Sequence, residues 1–140
     1  MLTDIQKAKS SLQDTNASCV MVKDSTVFQS DLQGIMPLLD WLEKSPDMLH
    51  NSCIADKVVG KAAALLMVLG DVSEVYAEVM SDSAEEFFQK NKIAFSFGKK
   101  VSHILNRDQT DMCPMEKRCM EIESPQKTYE ILKEMVQARR

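Results

Sequence analysis

An acid and two lysines crowd the segment Ala55-Asp56-Lys57-Val58-Val59-Gly60-Lys61-Ala62-Ala63-Ala64. From Val58 to Leu69 the only polar side chain is Lys61, a composition that reads as a buried core helix. Asp56 suits the entrance of such a helix, where a carboxylate caps free amides and meets the positive end of the dipole. Lys57 and Lys61 do not suit it. Four residues apart, they repel each other and face the wrong end of the dipole. A bound anion would offset both faults, which makes Asp56, Lys57, Gly60 and Lys61 candidate ligand-binding residues. Gly60 inside a helix costs roughly 1 kcal/mol against alanine, and a close approach of backbone or ligand would explain it. The Gly60-Lys61 pair is not a phosphate-binding P-loop, which needs glycine at 55 and Ser or Thr at 62, where this chain has Ala55 and Ala62.

The second chemically loaded stretch runs from Asn106 to Glu116, Asn-Arg-Asp-Gln-Thr-Asp-Met-Cys-Pro-Met-Glu. If Pro114 begins a helix, Cys113 lies where dipole and free amides favour a thiolate. Asn106, Arg107 and Thr110 in the polar loop before it add anion-holding groups. Cys113 and Lys57 are the two candidates for a catalytic role. The plain alternatives are a cap for Asp56, solvated lysines for Lys57 and Lys61, and a small buried hydrophobe for Cys113.

The elements that must position these groups alternate along the chain. Thr3 and Gln6 have capping-box spacing ahead of a short amphipathic helix. Ser18–Lys23 and Thr26–Ser30 read as a β-hairpin turning at Asp24-Ser25. Ile35, Leu38, Leu39 and Leu42 mark the apolar face of a helix that starts near Pro37. After the central helix, which is stopped by Gly70-Asp71, Glu74–Met80 reads as a buried strand. Ser83 and Glu86 read as a capping box. Ile93–Phe97 reads as a strand ended by Gly98, and Val101–Leu105 as one helical turn. Cys113-Pro114 and Ser124-Pro125 are two further helix starts, the last opening an amphipathic helix through Ala138. A hairpin followed by alternating helices and strands predicts a mixed sheet with helices on both faces.

The chain of 140 residues, 44% hydrophobic and 27% charged, suits one globular domain with its own core. A net charge of −4 argues against a nucleic-acid or anionic-membrane binder. No apolar run reaches the ~20 residues of a membrane span, and nothing in Met1–Gln6 reads as a secretion signal. Cys19, Cys53, Cys113 and Cys119 form neither a Cys-x-x-Cys pair nor a zinc-knuckle spacing. The expectation is therefore a cytoplasmic chain with free thiols.

Asp56-Lys57-Val58-Val59-Gly60-Lys61-Ala62-Ala63-Ala64, Asn106-Arg107 and Cys113-Pro114-Met115-Glu116, with Pro37–Leu42 and Glu74–Ala77, resemble the bacterial domain-of-unknown-function family 1893. The resemblance runs from about Cys19 to Glu116. It implies a cytidine deaminase-like fold, a three-layer α/β/α sandwich around a mixed sheet. One domain over residues 1–140 follows, with an N-terminal helix in 1–17 and a C-terminal helix in 121–140 packed on it. It also implies self-association, with no surface in the sequence to assign it to.

Zinc deaminases open one core helix with His-x-Glu or Cys-x-Glu and a second with Pro-Cys-x-x-Cys. Under that resemblance Asp56, Cys113 and Glu116 are the candidate metal ligands, a harder set than the usual one, and Val58 stands in place of the proton-shuttling glutamate. Ordinary zinc-dependent deamination is therefore disfavoured, and no metal or other cofactor is assigned. The reading is a binding domain for a small anionic, nucleotide-like molecule. Its alternatives are a non-catalytic sensor and a thiol enzyme using Cys113. Whether the chain is an enzyme is left open.

Overall fold

The computed structural model describes residues 2–105, 108 and 110–138. Helix α1 (Asp4–Asp14) begins at the capping box, with the Thr3 side chain accepting from the Gln6 amide and the Gln6 side chain accepting from the Thr3 amide. Strands β1 (Cys19–Lys23) and β2 (Thr26–Ser30) form the hairpin, turning through Asp24 and Ser25, both at positive φ. Two positive-φ residues in a two-residue loop match the twist of antiparallel strands. Helix α2 (Met36–Lys44) follows, with Pro37 in its first turn.

The next element differs from the sequence expectation. Cys53–Val59 is a strand, β3, and helix α3 covers only Lys61–Leu69. Asp56 is therefore no helix cap, and Lys57 and Lys61 are not neighbours on one helix. Gly60 is the N-cap residue of α3, not part of its interior. The apolar run is continuous because a central strand and a central helix follow each other with a single glycine between them. β-Branched Val58 and Val59 belong to the strand, and alanine and leucine to the helix.

The remaining elements are β4 (Glu74–Ser81), α4 (Asp82–Lys90), β5 (Ala94–Val101), α5 (Pro114–Cys119) and α6 (Pro125–Ala138). The five strands form one mixed sheet in the order β2-β1-β3-β4-β5. β1 is antiparallel to β2 and β3, and β3, β4 and β5 are parallel. Parallel neighbours require crossovers, which α3 and α4 supply.

Three local expectations also change. The N-cap of α4 is Ser81, which accepts from the Ala84 amide, so Ser83 lies inside the first turn. Gly98 does not end β5. The strand passes through it, and the residue is glycine because a Cβ there would meet the Glu78 carbonyl oxygen at 3.0 Å. Val101 ends β5, and Leu105 bridges Met112 instead of closing a helical turn.

The two sheet faces are packed unequally. Ala8 and Leu12 of α1 meet Val20, Val22, Ala55 and Tyr76 on one face. On the other, Cys19, Met21, Ile54, Val75 and Ala77 meet a larger core from α2, α3, α4 and α6. The C-terminal helix packs on α3, so α1 and α6 lie on opposite faces of the sheet. Among the described residues, no helix is long and apolar enough to cross a membrane.

Candidate functional site

The N-terminus of α3 already holds an anion, supplied by the chain. Gly60 offers no side-chain cap, and Glu116 reaches across from the first turn of α5 to take its place. One carboxylate oxygen accepts from the Lys61 amide at 2.8 Å and the other from the Ala62 amide at 3.0 Å. These are charge-assisted bonds at the positive end of a helix dipole. Glu116 is buried, and burial raises its carboxyl above the ordinary value, opposed by those two amides and the Lys61 charge. The close approach expected of Gly60 is real: a Cβ at that position would collide with the Glu116 carboxylate.

Lys61, the first residue of α3, turns its side chain away from Glu116. Its stem is buried, and Nζ donates to the Met120 carbonyl at 2.8 Å and to Glu123 Oε1 at 3.0 Å. Glu123 Oε2 also lies 3.7 Å from Lys90 Nζ, so one carboxylate bridges two lysines. The Lys61 hydrogen bond is the main influence holding the Glu123 carboxyl below its usual range, and Lys90 adds to it. Lys61 and Glu123 lie in an open groove of ≈ 600 Å³. Its walls are α4, through Ser83, Glu86, Phe87 and Lys90, and the α5–α6 connector, through Met120. A second hollow of ≈ 460 Å³ beside β2 is lined by Thr15, Gln29 and Asp31 and contains no buried charge.

Asp56 sits elsewhere, in mid-strand, opposite Cys19 of β1 and Ala77 of β4. It is 5% exposed; Oδ1 accepts from the Val58 amide at 3.4 Å, and among the described residues Oδ2 has no hydrogen-bond partner. Burial pushes its carboxyl up to about 7. The Val58 and Lys57 amides and the Cys19 thiol oppose the rise, and the Glu78 charge adds to it. Burial and the adjacent Asp56 charge push the Cys19 thiol well above its usual range in turn.

Lys57 is exposed on β3 and lines no part of the groove. Cys113 is the N-cap of α5, half-buried against the core, with no side-chain cap bond, and its amide donates to the Ile104 carbonyl at 2.8 Å. Thr110 is exposed. Asn106 and Arg107 lie outside the described residues. The structure thus brings Gly60, Lys61 and Glu116 together, while Asp56 and Lys57 lie on β3 and Cys113 starts α5 without a side-chain bond to that group. Among the described residues, no three His, Cys, Asp or Glu side chains gather as a metal-holding group. Sequence reasoning missed Lys90 and Glu123, and it favoured the core for Met120, which is exposed on the groove. These three are distant in the chain and carry no motif, and the only local signal was Glu123 standing just before the Ser124-Pro125 helix start.

Two comparisons with known proteins bear on this arrangement. A DUF1893 family protein (TM1506) from Thermotoga maritima has a crystal structure that superposes with a TM-score of 0.86. It is 24% identical, over 96% of this chain and 92% of that one, a likeness that speaks to fold. No curated protein matches the chain. Residues 7–136 match the family described as TM1506, domain of unknown function (DUF1893), and the chain belongs to that family.

Proposed function

We propose that this chain is a binding domain for a small organic anion, received in the groove between α4 and the α5–α6 connector. The observation that carries the reading is Lys61, a buried cation that lines the groove and shares the Glu123 carboxylate with Lys90. A buried lysine is costly unless an anion compensates it, and here the compensating carboxylate is itself half in solvent. Met120 offers apolar surface to the body of such a ligand, and Ser83 offers a hydroxyl.

The mixed sheet, with α1 on one face and the other packed helices on the opposite face, supports a three-layer, cytidine deaminase-like architecture. Zinc does not fit the residues available to it. Both oxygens of Glu116 are engaged by α3 amides, and Asp56 lies within β3, before the glycine that opens that helix. This supports binding without zinc-dependent deamination, a domain that reports or delivers a ligand. The free cysteines support a reducing cytoplasm as its setting.

The test is an amide-shift titration of the native protein with nucleoside monophosphates, sugar phosphates and dicarboxylates. Shifts should cluster at Ser83, Phe87, Lys90, Met120 and Glu123 and disappear in Lys90→Ala, a surface substitution that leaves folding intact. Shifts scattered over the surface, or none, would sink the reading.

A further inference from the structure

Glu123 occupies the position a ligand's acidic group would take. We propose that it is an intramolecular competitor, and that the groove exchanges the Glu123 carboxylate for the phosphate or carboxylate of an organic anion. The inference rests on the binding reading above and specifies how that site is held when no ligand is bound.

The geometry is that of a bound anion. One carboxylate bridges a buried and an exposed lysine at 3.0 and 3.7 Å, yet its own side chain is 56% exposed. Glu123 stands on the connector between α5 and α6, tied there by its side chain, while the separate bond from Lys61 to the Met120 carbonyl holds the lysine in place. Rotating Glu123 into water therefore breaks no helix and leaves Lys61 where it was. Among the described residues Lys61 donates to Met120 and to Glu123, so an incoming oxyanion takes up the N–H that Glu123 gives up. Opening the site without replacement would leave a buried ammonium uncompensated, so release of Glu123 and arrival of the ligand are coupled in one exchange.

The same surroundings indicate the ligand class. Two ammonium groups set one acidic group, and the exposed Met120 side chain next to them sets an apolar body attached to it. Glu86 on the same wall disfavours a polyanion, since a second acidic group would lie against it. An ester or acid with a single acidic group on an apolar body fits better than inorganic phosphate, which has no such body.

The test uses the full chain, with phenyl phosphate and inorganic phosphate as probes and dissociation constants read from amide shifts. Glu123→Gln keeps the shape of the side chain and removes its charge. It should tighten phenyl phosphate binding about three- to tenfold, and Lys61→Met added to it should abolish the binding. Phenyl phosphate should bind more tightly than inorganic phosphate in both wild type and Glu123→Gln. Equal affinity for wild type and Glu123→Gln, or weaker binding by the variant, overturns the competitor and leaves the binding reading intact. Equal affinity for the two probes overturns the ligand class. Should neither protein bind phenyl phosphate at millimolar concentration, both the competitor and the binding reading fall.

Discussion

Gly60 and Glu116 occupy one space: the carboxylate that caps α3 lies where a side chain at position 60 would begin. The glycine is required for packing, since its backbone is extended and has no positive φ.

Substitution of either residue should therefore break the same contact. Gly60→Ala is expected to destabilise the fold by about 1–3 kcal/mol through overpacking. Glu116→Ala is expected to cost about 1.5–3 kcal/mol through loss of charge-assisted bonds to two amides. The double variant should cost less than the sum, because alanine at 60 no longer meets a carboxylate. Urea denaturation of the four proteins measures this coupling, and strict additivity would refute the shared-space account.

Asp56 should make stability depend on pH. Its carboxyl titrates near 7 in the folded chain and near ~3.9 when unfolded, so folding takes up a proton between those values. The stabilisation is complete below about pH 4 and is lost as pH rises through about 7, a change on the order of 3–4 kcal/mol. Asp56→Asn should flatten the stability profile across that window. Profiles for the two proteins that stay parallel from pH 4 to 8 would show that Asp56 is charged in the fold.

Thiol labelling should divide the cysteines by burial. Cys19 and Cys119 are fully buried, and Cys53 and Cys113 are half-buried. An alkylating reagent at neutral pH should modify Cys113 first in the native protein, Cys53 more slowly because burial and the Glu74 charge push its thiol up to about 11, and Cys19 only at the rate of global unfolding. Rapid native labelling of Cys19, followed by mass spectrometry of peptides, would contradict the sheet packing around Asp56.

Lys57→Met should be nearly silent. The side chain is exposed on β3 and lines no part of the groove, so stability should change by no more than about 0.5 kcal/mol. Phenyl phosphate affinity should stay within twofold of wild type. A large loss of affinity would return Lys57 to the binding site and displace the groove.

Local signals located most of the fold. The Thr3–Gln6 box, the Asp24-Ser25 turn and the two proline-led helix starts are each decided by a few adjacent residues, and each stands where the sequence indicated. The boundary at Gly60 was not legible, because a short apolar strand end and a buried helix share one apolar signature. The site was legible only as a fault. Lys61 at the start of a helix did require anions, but they came from Glu116 and Glu123, and tertiary pairing over such separations leaves no periodicity to read. Asp56 was legible as an unusual acid but not as a strand residue, since nothing near it in the chain announces Cys19 as its neighbour.

The cap on α3 also sets an order of events. Fifty-five residues separate Lys61 from the glutamate that satisfies its amide. During synthesis the central helix emerges long before its cap, and its first turn must wait, frayed or hydrated, until α5 follows. Final closure of the core is thus tied to the last third of the chain.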